Sequence, residues 1–415
     1  MKLYTTIGKS LNNYKMARCS GGLFEGYICI LHRYPLADAL ATNASITDFL
    51  LRMKELGFRL RYISLKSSDH SHESVFARNL VTYELPIEIQ RSNFLLKMIQ
   101  SSFYYLFLTI MGIALKMDDD LKLVYCDDSI PFLGFLMKIV TGKKVIIRLG
   151  DLQTGYLLQE SRLKVLFRIV HSFERYTWKM MDGLIPISHA FSSYLMNAGI
   201  AKEKIIIVPE SVDTGTFRPR YEEGHSSKDK SQIKLMYHGV LEPTKGLDVL
   251  LSYFGTSDFP TNTKLLIVGD GSMRNQLQRR FADLVRNGQL EFLGWKPLAS
   301  ISRIINDIDI GLVFRRPSLA NQMIATAGML QYLACGKPVI APNLGSMRDL
   351  IIAGKCGLLY DFRSPADFHK ALEQLANNGD LRERLGTNGR MLVEREYSKE
   401  IVGHRLVDAL IKLGR

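Results

Sequence analysis

The alternation of short apolar segments with helical patterns is the feature that most constrains how this 415-residue chain folds. Segments such as 27–31, 183–187 and 264–268 are dominated by apolar residues, and helical patterns separate most of them. Strands that are apolar on both faces are typical of parallel sheets covered by helices on both sides. The alternation restarts at Ile233, which predicts two doubly wound, parallel-sheet α/β domains facing each other across a cleft.

The two domains are separated by residues 221–232, which are polar and lack periodicity, so we predict a linker there. A chain of 415 residues is also long enough for two domains of ordinary size. The predicted order is an extension over 1–25, an N-terminal domain over 26–220, a C-terminal domain over 233–395, and a final helix over 396–415 that could pack back on the N-terminal domain. Residues Ile205–Val208 are predicted to form the last strand of the first domain.

Basic residues outnumber acidic ones by 54 to 41, a formal net charge of +13. This surplus favours a polyanionic partner such as nucleic acid, anionic lipid or a phosphorylated substrate, although an ordinary basic surface explains it equally well. No recognisable nucleic-acid-binding motif accompanies the charge, so we expect no nucleic-acid partner. The five cysteines are scattered without C-x-x-C spacing, which is typical of reduced core residues in a cytoplasmic protein.

Membrane-spanning and secretory segments are not expected. The first 22 residues lack the apolar stretch of a secretory signal. The longest apolar run, Phe103–Leu115, is shorter than the roughly 20 residues that cross a bilayer. A buried or interfacial helix is the better interpretation of this run, and association with a membrane surface stays open.

Glycines follow two strands of the second half, in Tyr237-His-Gly239 and in Val268-Gly-Asp-Gly271. Gly239, Gly269 and Gly271 would permit tight turns and close approach of the backbone to a ligand. Taken alone, such turns are more often structural than functional. The spacing is not G-x-G-x-x-G, so the sequence does not predict a dinucleotide site.

Two further positions in this half fit an anionic ligand. Lys245 stands just before a predicted helix, where its ammonium could meet a diphosphate, although a solvated lysine is the commoner case. Ala327 and Gly328 open a helix whose first N–H groups could face a phosphate. In the first half, Arg148 and Asp151 end a strand and His32 follows another, so these polar side chains are expected near the cleft. Structural packing is an equally good interpretation of His32.

Five segments in this order resemble the family-4 retaining glycosyltransferases, which have the GT-B fold of two facing Rossmann-like domains. The resemblance runs from about residue 27 to the end and is strongest in the second half. Its segments are Glu174…Asp182…Ile187-Ser188, Val208-Pro…Val212-Asp213…Phe217-Arg-Pro219, Gly239…Lys245-Gly246, Val268-Gly-Asp-Gly271 with Phe292-Leu-Gly294, and Ala334-Cys-Gly-Lys-Pro-Val339.

The resemblance implies a hexosyltransferase that moves a sugar, with retention, from a nucleotide-diphosphate-sugar to a glycan or lipid-linked acceptor in polysaccharide or cell-envelope biosynthesis. The donor would lie on the C-terminal domain and the acceptor on the N-terminal one, with no metal or further cofactor. Lys245 would contact the diphosphate. The family's neighbouring arginine falls on Val240, and its two glutamates fall on Met323 and Gln331.

These departures define the open questions of the sequence. Gln331 can still bind a ribose hydroxyl through its amide oxygen, and Arg315 and Arg316 could supply the missing positive charge. With Asp151 orienting the acceptor, the candidate catalytic residues are Lys245, Asp151 and Gln331. The alternative is a degenerate, non-catalytic homologue that binds a glycan or protein partner.

A basic stripe is predicted on the helix near 159–181, because five side chains recur there at steps of three and four residues. A solvated surface is one interpretation, and contact with anionic lipid is the other. The second interpretation would make this a cytoplasmic protein held peripherally on the inner face of the cell membrane. The stripe consists of Lys164, Arg168, His171, Arg175 and Lys179.

Overall fold

The computed structural model describes residues 26–32, 44–65, 80–85, 94–127, 132–152, 154–155, 164–220, 232–254 and 262–415. The predicted extension over 1–25 and nearly all of the predicted linker lie outside these residues. Within the described part of the chain, no helix is both long and apolar enough to cross a membrane.

The N-terminal domain is built on a parallel sheet of order β3-β2-β1-β4-β5-β6. This is the Rossmann order, in which the crossover reverses between the first and fourth strands. Its elements are β1 (Tyr27–Leu31), α1 (Ala44–Glu55), β2 (Arg59–Leu65), β3 (Leu80–Leu85), α2 (Phe94–Lys116), β4 (Leu121–Asp127), α3 (Leu133–Thr141), β5 (Lys144–Leu149), α4 (Lys164–Lys179), β6 (Gly183–Pro186) and α5 (His189–Asn197).

The C-terminal domain repeats the same plan, with a parallel sheet of order β12-β11-β10-β7-β8-β9. The predicted pair of Rossmann-like domains is therefore confirmed. Its elements are β7 (Ile233–His238), α6 (Leu247–Phe254), β8 (Thr263–Val268), α7 (Arg274–Arg280), α8 (Ala282–Arg286), β9 (Leu290–Gly294), α9 (Leu298–Asn306), β10 (Ile310–Leu312), α10 (Leu319–Met323), α11 (Ala327–Ala334), β11 (Val339–Pro342), α12 (Gly345–Gly354), β12 (Gly357–Tyr360), α13 (Pro365–Ala376), α14 (Gly379–Glu396) and α15 (Lys399–Gly414).

The central strands are buried on both faces, as their apolar sequences require. In β1, Cys29 and Leu31 enter one core layer, whereas Ile28 and Ile30 enter the other. A strand of alternating polarity would have exposed one face to water. The carboxyl ends of the buried strands are thus left as the edges where side chains and turns can meet a ligand.

The C-terminal helix α15 packs on the N-terminal domain and not on the domain that precedes it in sequence. Leu406 and Leu410 are fully or almost fully buried in the same cluster as Ile28 and Phe49. At the end of the helix, the ammonium of Lys144 donates hydrogen bonds to the carbonyl oxygens of Gly414, at 2.9 Å, and Arg415, at 2.8 Å. The last residues of the chain therefore complete the first core.

Three sequence predictions need correction. Ile205–Val208 is not a strand: Ile205 forms a single bridge with Leu184, and the ladder cannot be completed because Pro186 has no N–H. The sequence over Met273–Asn287 has the pattern of one helix, but the structure has two, α7 and α8, separated at Phe281. Strand β3 was not predicted from the sequence.

Candidate functional site

The turns after β7 and β8 are in direct backbone contact, and glycine is required there. A Cβ on Gly269 would lie 1.9 Å from the carbonyl oxygen of Gly239, and one on Gly271 would lie 2.4 Å from that of Leu241. All three glycines have positive φ, at 151°, 140° and 158°. Gly239, Gly269 and Gly271 thus join the two turns into one rigid edge. These are the glycines that were predicted to take part in donor binding.

The N-terminus of α11 faces this edge. Thr326 caps the helix, its hydroxyl oxygen accepting from the N–H of Met329. The imidazole of His238, at the end of β7, lies against Gly328, where a Cβ would be 2.8 Å from Nε2. Ala327 and Gly328 therefore stand where the sequence placed them, at a helix start close to the ends of β7 and β8, and Gly328 makes room for a histidine.

Three side chains meet here, each with one buried polar atom that makes no hydrogen bond of ordinary geometry. These atoms are Nε2 of His238, Nη1 of Arg315 and Oε1 of Gln331. Buried polar groups in proteins are nearly always hydrogen-bonded, so an orphaned group needs an explanation. Three of them around one helix N-terminus mark a site that a polar ligand would complete. Arg315 and Gln331 were sequence candidates, whereas His238 was not.

The protonation state of His238 follows from these surroundings. Burial of the ring lowers the pKa of His238 to about 4; the side chain of Gln331 opposes that shift and the positive charge of Arg315 adds to it. The ring also packs edge-on against Tyr332, with centroids 5.3 Å apart. At neutral pH the site therefore contains a neutral imidazole beside a guanidinium.

Arg316 is held by contacts within the C-terminal domain. Both oxygens of Asp248 accept hydrogen bonds from its Nη2 at 2.8 Å, and Nε donates to the carbonyl oxygen of Pro243. Arg316 thus braces the short turn 243–245 that carries the partly exposed Lys245. The donor-binding role predicted for Arg316 is not supported by these contacts, because its charge is already neutralised within the fold.

Met323 belongs to an inter-domain contact. Its side chain is buried, and its carbonyl oxygen accepts a hydrogen bond of 2.6 Å from the Ser188 hydroxyl of the N-terminal domain. With Ala320 and Ile324 it enters the core cluster of that domain. The helix α10 therefore docks into the first domain, and an apolar residue at position 323 serves that packing.

The predicted acceptor-side residues lie at the ends of β1 and β5. Arg148 is only 4% exposed, and its Nη2 lies 3.4 Å from the carbonyl oxygen of Pro209 and 3.6 Å from a carboxylate oxygen of Glu210. His32 is buried beside Tyr62, with ring centroids 6.0 Å apart. These contacts favour packing roles for both. Asp151, which follows β5, is partly exposed, unlike Arg148 and His32.

The predicted basic stripe on α4 is wrong at its centre. His171 is buried, its Nδ1 lying 2.6 Å from the Thr154 hydroxyl and its Nε2 2.5 Å from the Tyr194 hydroxyl. The Thr154 hydroxyl also donates to the buried carboxylate of Glu174. An amphipathic helix normally turns its apolar face inward, but this polar network holds the opposite face of α4 against Thr154 and Tyr194.

The outward face of α4 is consequently apolar and continues onto two neighbouring helices. Phe173 of α4 contacts Phe135 of α3 with ring centroids 5.6 Å apart, and α3 packs on α2 through Val140 and Gly112. We call this the apolar helix surface. Its exposed members are Leu106, Phe107, Ile110, Ile113 and Met117 of α2 with the adjoining turn, Ile139 of α3, and Val165, Leu166, Ile169, Phe173 and Tyr176 of α4.

Two Rossmann-like domains with a polar site between strand ends and a helix N-terminus define the GT-B class of glycosyltransferase folds. HepE from Anabaena, solved in complex with UDP, superimposes with a TM-score of 0.66 over 93% of this chain and 99% of that one, at 13% identity. At this identity the likeness establishes the fold.

The family comparison matches the C-terminal half of the chain. Residues 221–391 match the model of the family glycosyl transferases group 1. An uncharacterized glycosyltransferase from Methanocaldococcus jannaschii is 31% identical over 180 residues, which cover 43% of this chain and 46% of the relative. A capsular polysaccharide biosynthesis glycosyltransferase, CapM from Staphylococcus aureus, is 23% identical over 253 residues, covering 57% and 63%. The matches thus span less than two thirds of the length of either relative.

Proposed function

We propose that this protein is a retaining glycosyltransferase that moves a sugar from a nucleotide-diphosphate-sugar to a glycan or lipid-linked acceptor in polysaccharide or cell-envelope biosynthesis. The observation that carries the proposal is the trio of His238, Arg315 and Gln331 at α11, within the residues that match the glycosyl transferases group 1 model. The UDP complex of HepE and the capsule biosynthesis named for CapM support the donor and the pathway class.

The leaving diphosphate is the centre of the proposed mechanism. Arg315, Lys245 and the N–H groups at the start of α11 place positive charge where negative charge grows as the sugar–phosphate bond breaks. The Gln331 amide oxygen accepts from a ribose hydroxyl. Because these groups neutralise the diphosphate, we propose that the nucleotide-sugar is the sole co-substrate and that no metal takes part.

The acceptor reaches the reacting carbon from the N-terminal domain. Asp151 orients the acceptor hydroxyl or a sugar hydroxyl through its carboxylate. Retention follows if the acceptor attacks from the face that the diphosphate leaves, so positioning supplies most of the rate enhancement.

Nucleotide binding tests the proposal. Titration calorimetry with UDP, GDP and ADP should show one site, and the matching nucleotide at 100 times its dissociation constant should stabilise the protein by about 2.7 kcal/mol. Hydrolysis or transfer of the sugar from the matching nucleotide-sugar distinguishes an enzyme from a degenerate homologue, which would bind but not turn over. Absence of binding to all three nucleotides would overturn the proposal.

We further propose that the apolar helix surface docks on an anionic membrane, which brings a lipid-linked acceptor within reach. The three helices that form it contain a single acidic residue, Glu174, which is buried. Lys116, Lys164, Arg168 and Lys179 are exposed on the same helices. Apolar side chains that enter the bilayer boundary, flanked by basic ones, fit lipid headgroups of negative charge, each basic residue contributing about 1 kcal/mol.

Vesicle sedimentation tests this second proposal. Wild type should sediment with vesicles rich in phosphatidylserine or phosphatidylglycerol and much less with phosphatidylcholine alone. The double variant Val165→Ser, Ile169→Ser should lose most binding, whereas Ile352→Ser, at a 61% exposed site of the other domain, should not. Equal sedimentation of all three proteins would overturn membrane docking. So would a dimer of wild type that the double variant dissociates, since a second copy would then cover the surface.

A further inference from the structure

His238 ends β7, and its ring is fixed on several sides. The edge of Tyr332 packs against it, with rings 73° apart in plane, and Gly328 lies directly beside Nε2. Tyr332 is itself held by a hydrogen bond of 2.8 Å from its hydroxyl to the carbonyl oxygen of Met236. The imidazole is thus pre-positioned, and its buried Nε2 makes no hydrogen bond of ordinary geometry, although the Gln331 side chain is close enough to the ring to raise its pKa.

We propose that His238 is a donor-binding residue whose Nε2 hydrogen-bonds the nucleoside diphosphate. This inference rests on the proposed function and adds a contact that the sequence did not suggest. The orphaned atoms beside it define the ligand chemistry: Arg315 offers a cationic donor and Gln331 offers a neutral acceptor. A nucleoside diphosphate carries both the anionic oxygens that a guanidinium binds and the ribose hydroxyls that an amide oxygen accepts from.

The imidazole acts as a neutral hydrogen-bond partner and not as a cation. Arg315 faces it from the segment after β10, and Gln331 and Tyr332 face it from α11. Burial raises the pKa values of Tyr332 and of Tyr237, the residue directly before His238, so both phenols stay neutral. With its own pKa near 4, His238 carries no charge above about pH 5. The contribution of His238 to nucleotide binding should therefore not change between pH 5.5 and 8.

Calorimetry on one matched set of variants tests the proposal with UDP, GDP and ADP as probes. His238→Phe keeps an aromatic ring against Tyr332 and removes the nitrogen, so the affinity for the nucleotide that binds should fall roughly 3- to 10-fold, the value of one neutral hydrogen bond. His238→Gln should restore part of the loss, because its amide can reach the same position. The control is His369→Phe. The ring of His369 lies elsewhere in this domain, where its Nε2 is hydrogen-bonded to the carbonyl oxygen of Tyr253, so this variant should bind the nucleotide like wild type.

The outcomes separate this inference from the function beneath it. If wild type binds none of the three nucleotides, the proposed function fails and this inference fails with it. If wild type binds and both His238→Phe and His238→Gln bind equally well, the function stands and the inference is wrong. If the ratio of wild-type to His238→Phe affinity rises about tenfold as the pH falls from 8 to 5.5, the ring binds as a cation, which also overturns it. Should His238→Phe fail to fold, His238→Gln against wild type decides.

Discussion

The dependence of the first domain on the last helix can be tested with Leu406→Ala. Leu406 is fully buried in the N-terminal core, although it lies more than 370 residues after β1 in sequence. Removing three carbons forfeits about 2.4 kcal/mol of transfer free energy at about 0.8 kcal/mol each. The cavity adds to this, so we expect a loss of about 3–4 kcal/mol in the free energy of unfolding.

The chain offers a separate fluorescent reporter for each domain. Trp178 is buried in the N-terminal core and Trp295 is exposed in the C-terminal domain, and they are the only two tryptophans of the sequence. In a Trp295→Phe background, urea unfolding followed by fluorescence reports the first domain alone. Leu406→Ala should lower the midpoint of that transition.

The matched control is Leu372→Ala, which removes the same atoms from the core of the other domain. In a Trp178→Phe background it should lower the transition reported by Trp295, and a bound nucleotide should raise that transition again. The dependence of the first domain on the last helix is refuted if Leu406→Ala lowers the free energy of unfolding by less than about 1 kcal/mol. It is also refuted if the variant destabilises only the nucleotide-responsive domain.

Two further predictions concern single residues, and a third concerns the dependence on metal. Gly328→Ala should weaken nucleotide binding by roughly tenfold in calorimetry, because its Cβ would lie 2.8 Å from His238 Nε2; unchanged affinity would contradict the observed packing. Burial alone would raise the pKa of Asp213, but the hydrogen bond from Lys399 and those from backbone N–H groups outweigh it and hold the pKa below its usual range. The ionised Asp213 thus stabilises the folded protein fully above about pH 4, and this stabilisation is lost as the pH falls. In urea titrations, Asp213→Asn should therefore be less stable than wild type at pH 7 and should lose less stability on acidification. Parallel pH profiles of the two proteins would contradict this prediction. Finally, EDTA should leave sugar-transfer rates unchanged, whereas a loss restored by Mg²⁺ would disprove the metal-free mechanism.

The architecture was predictable because it depends on a pattern that the sequence states directly. Strands such as β1 and β11 are buried over their whole length, and their apolar runs indicate parallel sheets in both halves. The failure at Ile205–Val208 has a local cause, since an apolar run predicts a strand but says nothing about whether its neighbour can donate hydrogen bonds. Here the neighbour ends in Pro186.

The candidate site was only partly predictable, for a different reason. Glycines and Lys245 stand in recognisable local segments, so their positions could be read from spacing. His238 has no local signal, because what orphans its nitrogen is the packing of Tyr332 and Gly328, about 90 residues later in the chain. His171 shows the converse: helical spacing placed it among basic residues, but contacts with Thr154 and Tyr194 draw it inward.

The docking of α10 couples the distance between the two domains to the affinity of the nucleotide site. Ala320 and Met323 of α10 are buried in the core of the first domain, yet Arg315 precedes the helix by four residues and α11 follows it by four. A change in domain separation must either pull α10 out of that core or shift both flanking segments. By linkage, a nucleotide that prefers one placement of Arg315 and α11 must favour one domain separation by the same free energy.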